Sequence, residues 1–215
     1  MKRNLSVYGA AYFVMLLLAF VLLLAYPKLE LHLLLNACHT SFQDTFFKYY
    51  TTLAEWPLYL LALLPLCWKK YRLCLFYALS ELTAGGVLQI LKHSFAADRP
   101  IVVFENFPDV VLPLVEGVDM HHSNSFPSGH ASTFFVFFTC CALFLAYYYK
   151  QKGRQPDALL YSAQLAFLIL AALGAYSRIY LSQHFMVDIF VGSIIGFVTP
   201  LIYYKYFSKI KKLEN

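Results

Sequence analysis

The sequence predicts an all-α polytopic membrane protein, a bundle of six transmembrane helices forming one domain over residues 1–215. Of the 215 residues, 60% are hydrophobic and only 13% are charged. Several apolar runs are long enough to cross a bilayer, which takes about 20 residues in a helix. Runs such as FVMLLLAFVLLLAY are nearly continuous, whereas the strands of an outer-membrane barrel would alternate apolar and polar residues. A helical bundle is therefore expected.

Charged residues and prolines divide the apolar runs from one another. The first run follows Lys2 and Arg3 and is too long for a signal peptide, so we expect it to be retained as a span. Residues 27–50 mix apolar, aromatic and charged side chains, as helices at a membrane interface do. The predicted spans cover residues 7–26, 52–68, 72–92, 128–149, 157–177 and 184–204. The connections are short except for a polar outer loop at residues 94–126.

Lysine and arginine are distributed unequally between the two ends of the predicted bundle. If the six spans alternate, most of the 17 Lys and Arg residues fall at the two termini and in the turns after the second and fourth spans. Such basic segments stay in the cytoplasm. Both termini are therefore predicted to be cytoplasmic. Lys92, Arg99 and Arg178 fall at the opposite, outer end and need another explanation.

Composition argues against several other kinds of binding site. The net charge is +5, but the basic residues flank apolar runs, so membrane topology explains them better than nucleic-acid binding does. The five cysteines lack the spacing of metal ligands. His121 and His122 lie near Asp119, but adjacent histidines project in different directions, and a loop offers them no supporting shell. We therefore predict no metal and no cofactor.

The stretch SRIYLSQHFMVD, residues 177–188, carries the first candidate catalytic groups. His184 and Asp188 are four residues apart and would share one face of a helix. A carboxylate bound to one imidazole nitrogen fixes the tautomer and leaves the other nitrogen free to attack an electrophile. The planar guanidinium of Arg178 suits phosphate oxygens. This stretch therefore indicates phosphate chemistry.

Two further stretches are predicted to meet the first at the outer face of the bundle. KHSFAADRP, residues 92–100, begins at Lys92 and includes Arg99, and FPSGH opens the fourth span. Ser128 and Gly129 fall at a helix start, where unpaired N–H groups and the helix dipole attract anions. His130, one residue further on, can point at the same anion.

Together the three stretches resemble the signature motifs of the type 2 phosphatidic acid phosphatase superfamily, whose membrane members are six-span lipid phosphatases. They occur in the family's order without a departure at any signature position. The resemblance implies a metal-independent enzyme that works through a phosphohistidine. His184 would be the nucleophile, Asp188 would orient it, and His130 would protonate the leaving oxygen. The phosphate would be held by the remaining motif residues, namely Lys92, Arg99, Ser128, Gly129 and Arg178.

The expected substrate is a phosphate monoester of a lipid in the outer leaflet of a bacterial inner membrane, reached from the periplasmic side. The small chain and its acidic outer loop favour a large lipid head such as lipid A. Phosphatidylglycerophosphate and undecaprenyl diphosphate stay open as alternatives, because the catalytic motifs are common to all three. A non-catalytic phospholipid-binding protein or a transporter would instead carry ionisable groups at the bilayer midplane and a repeated half. The oligomeric state is not predicted.

Two features inside the spans are expected to be structural. Glu81 lies eleven residues before Lys92, about 16 Å deeper in the bilayer, and should be hydrogen-bonded to a polar neighbour at its depth, such as Gln164 or Thr199. Gly192 and Gly196 form a GxxxG pair that we predict packs the sixth span within its own bundle.

Overall fold

The computed structural model describes residues 6–68 and 70–207, and within those ranges it contains helices and turns but no strand. The α-helices are α1 (Ser6–Ala25), α2 (Lys28–Leu35), α3 (Ser41–Thr51), α4 (Pro57–Leu63), α5 (Tyr71–Phe95), α6 (Pro100–Phe104), α7 (Gly129–Gln151), α8 (Ala158–Tyr180) and α9 (Met186–Phe207). Two 3-10 segments, Thr52–Ala54 and Leu64–Trp68, flank α4.

Five of the described helices are long and apolar enough to cross a membrane, namely α1, α5, α7, α8 and α9. Their bounds match five of the six predicted spans to within a few residues, which confirms the all-helical membrane class. α1 packs on α8 and α9 and exposes large apolar side chains such as Phe13 and Leu24 on its other side. Exposed apolar surface of this kind is suited to contact with lipid tails.

The segment predicted as the second span, residues 52–68, is not a single helix. Its first 3-10 segment ends at Ala54, and α4 begins only at Pro57. Proline has no N–H and a fixed φ, so it suits the first turn of a helix and not the interior. The prediction of one continuous helix here is wrong, because an average of hydropathy does not detect such a break.

The broken segment nevertheless runs along the bundle in an ordered way. At its start, Thr51 accepts a hydrogen bond from Arg178 near the end of α8. Midway, the Tyr59 hydroxyl donates to Glu81 in α5. At its far end, the Leu63 carbonyl lies 4.0 Å from the Cys74 thiol near the start of α5, and the Lys70 N–H donates to the Pro65 carbonyl at 2.9 Å. Residues 52–68 therefore extend from one end of the bundle towards the other beside α5 and α7.

α7 is the central helix, packed against α5, α8 and α9. The close approach of α9 depends on two glycines. A Cβ atom on Gly192 would meet the Ser128 carbonyl oxygen, and one on Gly196 would meet the Ser132 carbonyl oxygen. The GxxxG pair therefore packs inside the bundle, against α7, as predicted.

Glu81 is hydrogen-bonded within the helical bundle, but to different partners from those expected. Its Oε1 accepts from the Thr133 hydroxyl at 2.6 Å and from the Tyr59 hydroxyl at 3.2 Å. Gln164 lies on α8 and accepts from the N–H of Tyr8. Thr199 lies on α9, which also packs against α5, but its hydroxyl donates to the Ile195 carbonyl of its own helix.

The two short helices α2 and α3 lie against the C-terminal end of α8. Tyr176 donates to the Leu35 carbonyl at 2.8 Å, and Tyr180 donates to the Asp44 carboxylate at 2.6 Å. Lys48 of α3 also donates to the Glu116 carbonyl in the long loop before α7. These helices and that loop thus cover the end of the bundle where α8 turns into α9.

Candidate active site

His184 lies in the turn between α8 and α9, and not on a helix. The N–H groups of Gln183 and His184 both donate to the Arg178 carbonyl, at 2.9 and 3.0 Å, and α9 begins only at Met186. The prediction that His184 and Asp188 share a helix face is therefore wrong about the local structure. The turn nevertheless brings the two side chains together.

Asp188 holds one nitrogen of the His184 ring. Its Oδ2 lies 3.5 Å from Nδ1 of His184, and the same oxygen accepts hydrogen bonds from the Ser125 hydroxyl and from the Phe185 N–H. The Phe185 contact caps α9, since Asp188 is the third residue of that helix. With Nδ1–H directed at Asp188, the His184 tautomer leaves a lone pair on Nε2.

The environment of His184 favours the neutral ring. Burial lowers the pKa of His184 to about 3, against the opposing hydrogen bond to Asp188, and the nearby charges of Arg178 and Arg99 lower it further. A neutral imidazole is the form that can act as a nucleophile. His184 is therefore neutral at neutral pH, which is the form that a nucleophilic histidine requires.

Arg99 is fixed beside the free nitrogen of His184. Its Nε donates to the Ser123 carbonyl at 2.9 Å, and its Nη1 donates to both oxygens of Gln183, each at 3.1 Å. The same Nη1 lies 3.4 Å from Nε2 of His184. A phosphorus atom attacked by Nε2 would therefore have oxygens beside a guanidinium.

Arg178 and Lys92 add positive charge to the same place. Arg178 is buried, and its Nη1 donates to the Thr51 hydroxyl at 2.7 Å. Its Nε has no hydrogen-bond partner among the described residues, which is unusual for a buried donor. Lys92, near the end of α5, is within electrostatic range of Arg99 and Arg178. An anion bound here would meet three cations.

The start of α7 completes the site. Ser128 caps the helix by accepting from the Ala131 N–H at 3.4 Å, and its own N–H donates to the Asp188 carbonyl at 3.0 Å. The helix begins at Gly129, which confirms the predicted helix start. His130 follows in the first turn, within electrostatic range of His184 and the three cations.

The structure thus gathers the residues of all three sequence stretches at one end of the bundle. It also adds four residues that the sequence analysis missed. Three of them, Thr51, Ser125 and Gln183, make the contacts given above, and the fourth is Glu55, whose Oε1 lies 3.9 Å from Nε2 of His130. Ser125 directly precedes FPSGH, Gln183 lies inside SRIYLSQHFMVD, and Glu55 is an acid inside an apolar run, so all three had a signal in the sequence. Thr51 had none.

The loop histidines lie near this end without forming a cluster of metal ligands. His121 and His122 are exposed. Partial burial lowers the pKa of His121, as do the charges of Arg99 and Arg178. In the described part of the chain, no group of three or more His, Cys, Asp or Glu side chains could hold a metal ion. The absence of a metal from the mechanism stays a prediction.

Two solved structures share this fold. LpxE of Aquifex aeolicus has a TM-score of 0.63 and 25% sequence identity, over 83% of this chain and 95% of its own. The transmembrane PAP2 type phosphatidylglycerolphosphate phosphatase of Bacillus subtilis has a TM-score of 0.67 and covers 100% of both chains. At 20% identity, the second likeness is one of fold alone.

The sequence is also similar to a curated protein and to a family model. A Drosophila melanogaster protein named "Putative phosphatidate phosphatase" is 33% identical over 91 residues, which is 42% of this chain. The chain spans only 24% of the length of that relative. The family model of the PAP2 superfamily matches residues 73–212, a range that includes every motif residue from Lys92 to Asp188. Because this match covers more than half of the sequence, the chain belongs to the PAP2 superfamily.

Proposed function

We propose that this protein is a lipid phosphatase that transfers the phosphate of a membrane lipid first to His184 and then to water. The observation that carries the proposal is the placement of the His184 ring. Its Nδ1 faces Asp188, and its Nε2 lies 3.4 Å from the Arg99 guanidinium. A nucleophilic nitrogen is thus paired with an orienting carboxylate and directed at an anion site.

The reaction balances with two histidines and one water. Nε2 of His184 forms a bond to phosphorus while the bond from phosphorus to the lipid oxygen breaks, and His130 gives its proton to that oxygen. Water then attacks the phosphohistidine and gives a proton to His130, and inorganic phosphate leaves. Lys92, Arg99 and Arg178 stabilise the charge on the equatorial oxygens in both steps.

The helix N-terminus at Ser128 and Gly129 supplies further positive potential. The Gly129 N–H belongs to the first turn of α7 and is not used by the cap that Ser128 provides. These donors and the three cations together hold the phosphate without a metal ion in the proposed mechanism.

The proposed substrate is a phosphate monoester of a lipid, lipid A-like or phosphatidylglycerophosphate-like, in the outer leaflet. The site lies at the ends of the helices and not at their midpoints, where a headgroup in the interface can reach it. Undecaprenyl diphosphate is the alternative substrate. Phosphate release by purified protein from these three lipids in parallel distinguishes the candidates.

The test of the mechanism is capture of the phosphoenzyme. Wild-type protein mixed with ³²P-labelled substrate and quenched in alkali should carry an acid-labile, alkali-stable label, and His184→Ala should carry none. His93→Ala, which alters an exposed histidine near Lys92, is the control and should label normally. If the wild type releases phosphate but no labelled protein is trapped at millisecond mixing times, the covalent mechanism is refuted.

The role of His130 is tested with two leaving groups. His130→Ala should lose most activity towards a lipid alkoxide, which needs a proton to leave. It should keep much of the phosphoenzyme formation from p-nitrophenyl phosphate, whose leaving group needs none. Equal loss with both substrates in a folded protein would assign His130 to phosphate binding instead.

A further inference from the structure

Glu55 occupies an unexpected place for an acidic residue. It follows the first 3-10 segment and comes two residues before α4 begins at Pro57, within the apolar segment of residues 52–68. An ionisable residue in such a segment is costly and most often serves a function. Because the helix is broken here, Glu55 lies at the site end of the bundle, with its Oε1 3.9 Å from Nε2 of His130.

The positive charge around His130 makes the contact with Glu55 important. Four basic side chains face the His130 ring, namely the cations Lys92, Arg99 and Arg178 and the imidazole of His184. Positive neighbours disfavour a second proton on an imidazole, yet a general acid must carry one. Among the described residues, Glu55 supplies the carboxylate that lies within 4.0 Å of the His130 ring and would pair with it once the ring is protonated.

The Nε2 atom of His130 is otherwise unsatisfied. It is buried and has no hydrogen-bond partner in the described part of the chain. The Glu55 side chain is 54% exposed and so is free to change rotamer. Catalytic hydrogen bonds are often long before the substrate binds and shorten in the complex. A rotation of Glu55 would convert the 3.9 Å approach into a hydrogen bond.

We propose that Glu55 is a positioning residue for the general acid, with its carboxylate accepting Nε2–H of His130 and stabilising the imidazolium form of the ring. The proton on the other ring nitrogen, Nδ1, then passes to the leaving lipid oxygen. Water returns a proton to the same nitrogen when the phosphohistidine is hydrolysed. This assignment rests on the proposed phosphatase function and adds a residue outside the three sequence stretches.

A second effect of Glu55 has to be separated from this one. Its charge also reaches Arg178, which the proposed function uses to hold phosphate. If Glu55 acted through Arg178, its removal would change the KM for every phosphate ester alike. If it acts through His130, its removal lowers kcat only where the leaving group needs a proton, and it shifts the pH profile.

The experiment compares Glu55→Gln with wild type on a lipid monoester and on p-nitrophenyl phosphate between pH 5 and 9. A general acid contributes roughly 10²–10⁴-fold, so we expect kcat on the lipid to fall about 30-fold and kcat on p-nitrophenyl phosphate to fall less than about threefold. The basic limb of the lipid profile should move about one pH unit lower, because the carboxylate no longer favours the protonated ring. Glu55→Asp, which keeps the charge, should recover part of both effects.

Glu105→Gln is the matched control, since it neutralises an exposed carboxylate just after α6 at the same end of the bundle, and it should behave as wild type. An equal loss on both substrates, or an unshifted basic limb, would overturn the proposal. Should Glu55→Gln fail to fold, Glu55→Ala, which also removes the carboxylate, takes its place, and an unshifted limb again refutes the proposal. Phosphoenzyme labelling of Glu55→Gln reports on His184 separately, so a failure of the phosphatase mechanism itself remains distinguishable.

Discussion

The Nδ1 atom of His184 lies 3.5 Å from the Oδ2 atom of Asp188, and both side chains are almost completely excluded from solvent. The Ser125 hydroxyl and the Phe185 N–H converge on the same oxygen. Asp188 is therefore fixed by hydrogen bonds before a substrate binds. A fixed carboxylate orients the imidazole without reorganisation during the reaction, which is where preorganised sites gain most of their rate.

This arrangement predicts graded losses when it is disturbed. Asp188→Asn should lower kcat about a thousandfold or more, because the amide preserves the shape but can favour the wrong His184 tautomer. Ser125→Ala should cost only about tenfold, since it removes one of several hydrogen bonds to the carboxylate. Steady-state rates on a lipid monoester measure both. Ser94→Ala, at the end of α5, is the control, and a Ser125→Ala enzyme as inactive as Asp188→Asn would assign the serine a direct part in the chemistry.

The burial of His184 predicts an unusual response to acid. Because its pKa is lowered to about 3, the neutral ring that the proposed mechanism requires persists above that pH and is lost only as the pH falls through it. An exposed histidine would be mostly protonated at pH 5. Phosphoenzyme formation from p-nitrophenyl phosphate, followed by rapid quench, should therefore retain most of its rate between pH 7 and pH 5. A loss with its midpoint near 6.5 would show that His184 titrates as a solvated imidazole.

Much of the site was predictable because its signals are local. Ser128 and Gly129 mark a helix start by their residue types, and the structure has the cap and the first helical residue at those positions. Gly192 and Gly196 mark a close helix contact for the same reason, since only a missing Cβ permits it. Such features depend on a few neighbouring residues, which a sequence displays directly.

The parts that were missed depend on residues far apart in the chain. Glu55 lies 3.9 Å from His130 at a break in the helix before Pro57, and the hydropathy of residues 52–68 conceals that break. His184 and Asp188 were expected on one helix, yet the turn before α9 is set by hydrogen bonds back to Arg178. Lys2, Arg3, Lys69, Lys209, Lys211 and Lys212, on which the predicted orientation partly depends, lie outside the described residues.

The contact between α7 and α9 predicts opposite effects for two glycine substitutions. At Gly196 a Cβ would overlap the Ser132 carbonyl, so Gly196→Ala should destabilise the protein by about 1–3 kcal/mol through overpacking. At Gly86, within α5, a Cβ meets nothing within 4 Å, so Gly86→Ala should be neutral or stabilise by up to about 1 kcal/mol. Thermal unfolding in detergent measures both. A Gly196→Ala protein as stable as Gly86→Ala would mean that the two helices can separate without cost.

The predicted orientation is tested by single cysteines placed before and after α7. If α7 crosses the bilayer, as its length and apolar composition predict, the loop before α7 and the turn before α8 lie on opposite sides. In a background with the exposed Cys38 and Cys67 replaced by Ser, Val111→Cys should react with a membrane-impermeant maleimide in intact cells.

In the same cells, Gln155→Cys should react only after the membrane is permeabilised. Both positions are exposed, so a difference in labelling reports the side of the membrane and not burial. The basic turn at residues 150–154 should be retained in the cytoplasm, which leaves the site end of the bundle, with Lys92, Arg99 and Arg178, facing outward. Labelling of Gln155→Cys but not Val111→Cys in intact cells would invert the protein and move the substrate to the inner leaflet. Labelling of both in intact cells would show that α7 does not separate the two positions, and its assignment as a membrane span would be wrong.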